Sequence, residues 1–317
     1  MTSHLMPPLA LTLVDIGRIL SLAVIAGGLL WLFLRAIKRK EVERRVIFLF
    51  IFVSVVAPIL FPTVFQEKAT PIVKDVFDKI ESLPPGSVVL LSYDFDPAMA
   101  PEVQPMADAI SRHCLVRGLK IIYMCLFATG QGQFTSTLEN VIKPEFPDKV
   151  NLVDYVNIGY KAGNEGVLNV IITDFKKMFP TDVDGVPYDS IAVFKGIRSC
   201  KDLDLVISIG GGKPGIKEWI LFVGDPGNVP IASGVAAVVA PLMYPYYPAQ
   251  MLGMLGGIKG AAEYESELVH HYPQFKNSPT PALLMMGPQT LAHLVIMAFI
   301  VIGNILYLLE RKKGRKR

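Results

Sequence analysis

The sequence predicts an α/β domain with a mostly parallel sheet, carried between three transmembrane helices, two before it and one after. Three observations predict it. Apolar stretches at 11–34, 46–65 and 289–309 each approach the ~20 residues a helix needs to cross a bilayer. Lys and Arg cluster beside these stretches in a consistent pattern. Between them, residues 67–280 alternate short apolar runs with amphipathic helical periods, as strands covered by helices do.

The basic clusters fix the orientation. Arg35, Lys38, Arg39, Lys40, Arg44 and Arg45 fill the short link between the first two spans, and Arg311, Lys312, Lys313, Arg315, Lys316 and Arg317 follow the third. Such residues stay on the cytoplasmic side. The expected layout is therefore a membrane anchor at 1–66, a non-cytoplasmic domain at 67–280, and a returning span with a cytoplasmic tail at 281–317. Residues 1–9 carry no Lys or Arg, so the first span reads as an anchor and not as a cleaved signal peptide. Within the spans, Asp15 and Arg18 are spaced to pair on one helix face. Pro58 and Pro62 are expected to kink the second span. His293 and Asn304 read as helix–helix contacts, and Gly27 and Gly28 as small residues for lateral packing.

With 51% hydrophobic residues and a mean hydropathy of +0.43, the chain is too apolar to be wholly soluble, and the excess sits in the spans. The net charge of +3 is mostly topogenic, so no nucleic-acid partner is expected. Anionic lipid headgroups are the natural partner of the basic segments. Cys114, Cys125 and Cys200 allow one disulfide with one thiol left over, and no CxxC is present.

Along the domain, the periodicity of Val73, Val76, Phe77 and Ile80 predicts a helix over 72–83. The apolar run 87–93 predicts a strand buried on both faces. A helix over 101–117, a strand over 119–127, a Gly-rich loop at 128–133, a short helix at 138–142 and a strand over 150–158 follow. Then come helices at 166–178 and 190–198, a strand at 203–209, two more strands at 219–223 and 229–239, and a helix at 251–270 broken early by Gly256 and Gly257. Residues 273–281 link back to the membrane. This alternation predicts a Rossmann-like architecture.

Ligands of open α/β sheets bind beyond the carboxyl ends of the strands, which selects three segments. Asp94 and Asp96 directly follow the first strand and offer carboxylate oxygens to a divalent cation such as Mg or Ca, the one cofactor the sequence suggests. Gly210, Gly211 and Gly212 with Lys213 follow the strand at 203–209, and a helix opening near Ile216 would turn its positive end toward an anion. This is not a P-loop, because the GxxxxGK[ST] spacing is absent. Asp225, in the turn after the next expected strand, is placed beside that loop. The Pro- and Tyr-rich stretch 241–248 suggests a partner surface or pocket rim. Glu263, Glu267 and His270 recur on one helix face. Carboxylate-bridged sites use Glu-x-x-His but need a second such pair, so a solvated face is expected. His113 is expected on an exposed polar face.

The run 88–99 resembles the first motif of the haloacid-dehalogenase-type phosphatases, a strand followed by DxD. The resemblance covers this segment alone, and Ala98 stands where that family has Thr or Val. It implies phosphoryl chemistry at Asp94 and Asp96. The layout as a whole favours a different role: a membrane-anchored scaffold, sensor or accessory subunit, with other membrane proteins or a second copy as partner. The alternative is a metal- or anion-dependent hydrolase or transferase, or a solute-binding domain, using the strand-end loops.

Overall fold

The computed structural model describes residues 13–37, 44–62 and 67–314. The chain divides into two compact units, one of residues 1–65 and 284–317 and the other of residues 66–283.

In the first unit, α1 (Leu13–Ile37) and α2 (Arg44–Leu60) pack on each other. Small residues allow the approach. A Cβ at Gly28 would stand 2.2 Å from the Phe50 ring, and one at Gly17 equally close to Phe61. Gly27 faces open space. Among the described residues one helix is long and apolar enough to cross a membrane, Pro281–Leu308. Its 28 residues rise about 42 Å. The expectation of three such helices is therefore met for one. In α1 the described apolar run is Ile19–Arg35. α2 has 17 residues and ends before Pro62. Residues 63–65 of the second expected span and the side chains of Asp15 and Arg18 lie outside the described residues.

The second unit opens with α3 (Pro71–Ser82), which buries the expected stripe of Val73, Val76, Phe77 and Ile80. β1 (Val88–Asp94) follows, buried at every position. α4 (Ala100–Val116), β2 (Lys120–Cys125), α5 (Gln131–Thr137), α6 (Lys143–Glu145) and β3 (Tyr155–Tyr160) complete the first half. The second half runs through α7 (Glu165–Ile171), α8 (Phe175–Met178), β4 (Leu205–Gly210), α9 (Ile216–Trp219), α10 (Asp225–Gly227), β5 (Ile231–Val235), α11 (Ala240–Met243), β6 (Met254–Gly256) and α12 (Gly257–His271), to α13 (Pro281–Gly314). All six strands are parallel, in the order β3-β2-β1-β4-β5-β6. The winding reverses between β1 and β4. The wholly buried β1, β4 and β5 are the near-continuous apolar runs such a sheet requires.

Several elements differ from the sequence expectation. The run 219–223 is helical: Trp219, Ile220 and Val223 are buried at helical spacing, and Glu218 caps the chain at Gly215. The 128–133 segment is a 3-10 turn running into α5, and Gly130 packs close to Tyr93 O, 2.3 Å from where a Cβ would stand. Residues 188–194 form two 3-10 turns in place of one helix. The 166–178 helix breaks where Asp174 caps Lys177. The start of the 251–270 helix is instead β6, and α12 begins at Gly257, whose φ of +61° favours glycine.

α12 packs on α3 and α4 and carries two buried carboxylates. Glu263 accepts from the Thr70 N–H at 2.8 Å and the Thr70 hydroxyl at 2.7 Å, at the start of α3. Its other oxygen pairs with Lys259. Glu265 accepts from the N–H groups of Leu283 at 2.9 Å and Ala282 at 3.3 Å, in the first turn of α13. Both satisfy helix-start donors that have no intrahelical partner. One helix thus holds the chain where it enters and where it leaves the α/β unit. Burial pushes Glu265 up to about 7 against the pull of its two N–H donors.

His113 is fully buried, not exposed, because α12 and α3 close over it. Its Nε2 donates to Glu81 at 2.9 Å and its Nδ1 accepts from the Tyr264 hydroxyl at 2.7 Å. Burial pushes its pKa down to about 4, Glu81 notwithstanding. The three cysteines are unpaired and buried.

Candidate functional site

Parallel strands put every carboxyl end on one edge of the sheet, and the strand order reverses between β1 and β4, the place where open α/β sheets have their ligand crevice. Asp94 closes β1 and lies in register with Gly210, which closes β4. A Cβ at Gly210 would stand 2.1 Å from the Asp94 carbonyl oxygen, so only glycine fits this approach. Gly211 lies under the Met99 sulfur and against Ala236, and Gly212 under the Phe127 ring. Loops from β1, β2, β4 and β5 therefore converge at one point, and the half-exposed Met99 and Phe127 cover it.

Asp94 is wholly buried. One carboxylate oxygen accepts from the Ser92 hydroxyl at 2.7 Å and the Leu126 N–H at 2.9 Å. The other accepts from the Ser208 hydroxyl at 2.8 Å and the Trp219 indole N–H at 2.9 Å. A carboxylate offers about four acceptor sites, and all are used. A cation at Asp94 would have to displace these donors. Burial raises the Asp94 pKa, and the four donors oppose that shift. Chemically this is a hub joining β1, β2, β4 and α9. Asp96 is half-buried, and its Oδ1 accepts from the Met99 N–H at 3.0 Å, which makes it the turn that starts α4.

The glycine loop is partly occupied by the chain's own carboxylates. Glu218 accepts from the Gly215 N–H at 2.8 Å, and Lys213 lies 3.2 Å from Glu165 and 3.9 Å from Glu218. The N–H groups of Gly211 and Gly212 donate to no group among the described residues. Asp225 is not part of this site. Because 219–223 is helical, Asp225 lies at the other end of that helix, beside the start of β5, and accepts from Gln250 at 2.6 Å. It lines a depression of about 390 Å³ with Pro230 and Gln250. A larger depression of about 730 Å³, lined by Asp174, Tyr188, Lys195 and Arg198, belongs to the connection before β4 and shares no residue with the crevice.

The connection from Ala236 to Met251 starts beside the crevice, where Ala236 lies against Gly211, runs to the start of β6, and is pinned at three points. Glu102 accepts from the Ala237 N–H at 2.7 Å, Tyr247 donates to Asp75 at 2.6 Å, and Gln250 donates to Asp225. Yet it leaves apolar side chains in the open: Val238 is 84% exposed, Leu242 66% and Tyr244 53%. Sequence reasoning missed the closure of the crevice by Met99 and Phe127 and the role of Trp219. Only its indole N–H, a donor that needs a partner when buried, signalled the latter. Comparison of this chain with protein-family models, curated proteins and solved structures finds no match.

Proposed function

We propose that this chain is an integral membrane protein whose α/β unit serves as a scaffold, sensor or accessory subunit of a membrane complex. In this reading helices within 11–34, 46–65 and 289–309 all cross the bilayer. The two basic clusters stay cytoplasmic, and the α/β unit faces the other side. The observation that carries the proposal is the contrast at the carboxyl edge of the sheet. Its buried carboxylate is spent on the fold, while a pinned connection presents Val238, Leu242 and Tyr244 to solvent. Exposed apolar and Tyr side chains beside prolines are what a partner protein buries.

The test is the mass and composition of the full-length protein extracted in a mild detergent, wild type against a Val238→Asp/Leu242→Asp double variant. A stoichiometric partner present with the wild type and lost with the variant is expected. A lone monomer in both cases refutes the proposal. A second reading, solute binding in the crevice, is favoured by the N–H groups of Gly211 and Gly212, which have no partner among the described residues and lie under the Met99 and Phe127 side chains. Its signature is stabilisation of the folded protein by a small anion, since a ligand that binds only the folded form raises stability.

A further inference from the structure

α12 ends with Glu267, His270 and His271, spaced i, i+3 and i+4, so the three side chains project from one side of its last turn. Glu267 Oε2 lies 3.4 Å from His271 Nδ1. One ligand atom from each residue lies within 4.8 Å of the other two. Tetrahedral coordination with bonds of about 2.0–2.1 Å places ligand atoms about 3.3–3.4 Å apart. The Glu267–His271 pair has that spacing, although His271 Nδ1 also donates to the Glu267 carbonyl at 3.0 Å, a hydrogen bond that an ion at Nδ1 would replace; rotation of the exposed His270 brings in the third ligand.

The surroundings suit a cation. The last turn of a helix carries the negative end of the dipole. The His271 ring packs against Phe77 with centroids 4.8 Å apart, and Phe77 is stacked in turn on the buried His113 at 4.3 Å. The imidazole is thus held from behind. Lys74, the nearby cation on α3, is engaged by Asp78 at 2.8 Å. Two imidazoles and one carboxylate select zinc-class ions over Mg²⁺ or Ca²⁺, which prefer all-oxygen sets.

We propose that Glu267, His270 and His271 form a binding site for a divalent transition ion of the zinc class. Three protein ligands leave the fourth position of a tetrahedral ion open to solvent, a second copy or an external ligand. This site is independent of the strand-end crevice and of the partner surface.

The test uses full-length protein in detergent, purified without a polyhistidine tag, and Zn²⁺ as the probe. Binding is read by competition with a chromophoric chelator of micromolar affinity. One equivalent of Zn²⁺ should bind, undisturbed by excess Mg²⁺ or Ca²⁺. His271→Ala should weaken binding at least tenfold, and His270→Ala/His271→Ala should abolish it. Unchanged denaturant unfolding of the double variant without Zn²⁺ would show that the fold is intact. Equal binding by wild type and double variant would overturn the proposal, as would no binding at ~100 μM Zn²⁺.

Discussion

Glu265 provides a quantitative test of how α12 holds the start of α13. Its folded pKa is raised by burial from 4.5 to about 7. At 1.36 kcal/mol per unit this corresponds to about 3 kcal/mol. A carboxyl whose folded pKa exceeds its unfolded value contributes stability that is fully present below about 4.5 and lost as pH rises through about 7. His113 works in the opposite sense. Its folded value near 4 lies below the ordinary 6.5, so its contribution is present above 6.5 and lost as pH falls toward 4. Between about 4.5 and 6.5 the two slopes oppose each other and partly cancel in the wild type. Glu265→Gln removes one of them. The variant keeps an acceptor for the Leu283 N–H and gives up the longer bond to Ala282, a pH-independent cost of about 1 kcal/mol. The assay is denaturant unfolding of the full-length protein in detergent at pH 4 to 8, followed by tryptophan fluorescence, to which the buried Trp219 contributes the signal of the α/β unit. The stability difference, variant minus wild type, should rise by about 3 kcal/mol across that range. Contributions from all other groups cancel in this difference. A difference that does not change with pH would refute the reasoning.

Further outcomes follow from the same geometry. Asp94→Ala strands buried donors, chiefly the Leu126 and Trp219 N–H groups, and should cost about 4 kcal/mol or more in unfolding experiments; a variant as stable as wild type would show that Asp94 is not the hub described. Gly210→Ala places a methyl 2.1 Å from the Asp94 carbonyl, so its melting temperature should fall well below that of Gly132→Ala, where the space is open. The thiols of Cys114 and Cys125 are pushed up to about 12 by burial, and Cys200 is buried as well. A colorimetric thiol reagent should find none of the three cysteines in the folded protein and all of them after denaturation.

The parts of the fold that were legible in the sequence are those where one physical requirement dominates. Continuous apolar runs announced β1 and β4, and the Val73–Ile80 stripe announced α3, because burial alone dictates those patterns. The run 219–223 failed because a short apolar stretch serves a buried helix as well as a strand. That error carried Asp225 to the wrong end of the sheet. His113 failed because it follows the polar Ser111 and Arg112 in sequence, and the elements that bury it come from distant parts of the chain, at Glu81 and Tyr264. Asp94 stood out in the sequence as a carboxylate at a strand end. What was not legible is that its partners Ser208 and Trp219, more than a hundred residues away, turn it inward.

The central claim, that the pinned connection starting beside the crevice meets another membrane polypeptide, is tested most directly by site-specific photo-crosslinking in intact membranes. A photoreactive residue at Leu242 should give one discrete adduct, absent when the same residue replaces Val183, which is 46% exposed on the β3 side of the unit. No adduct at Leu242, or the same adducts from both positions, would contradict it.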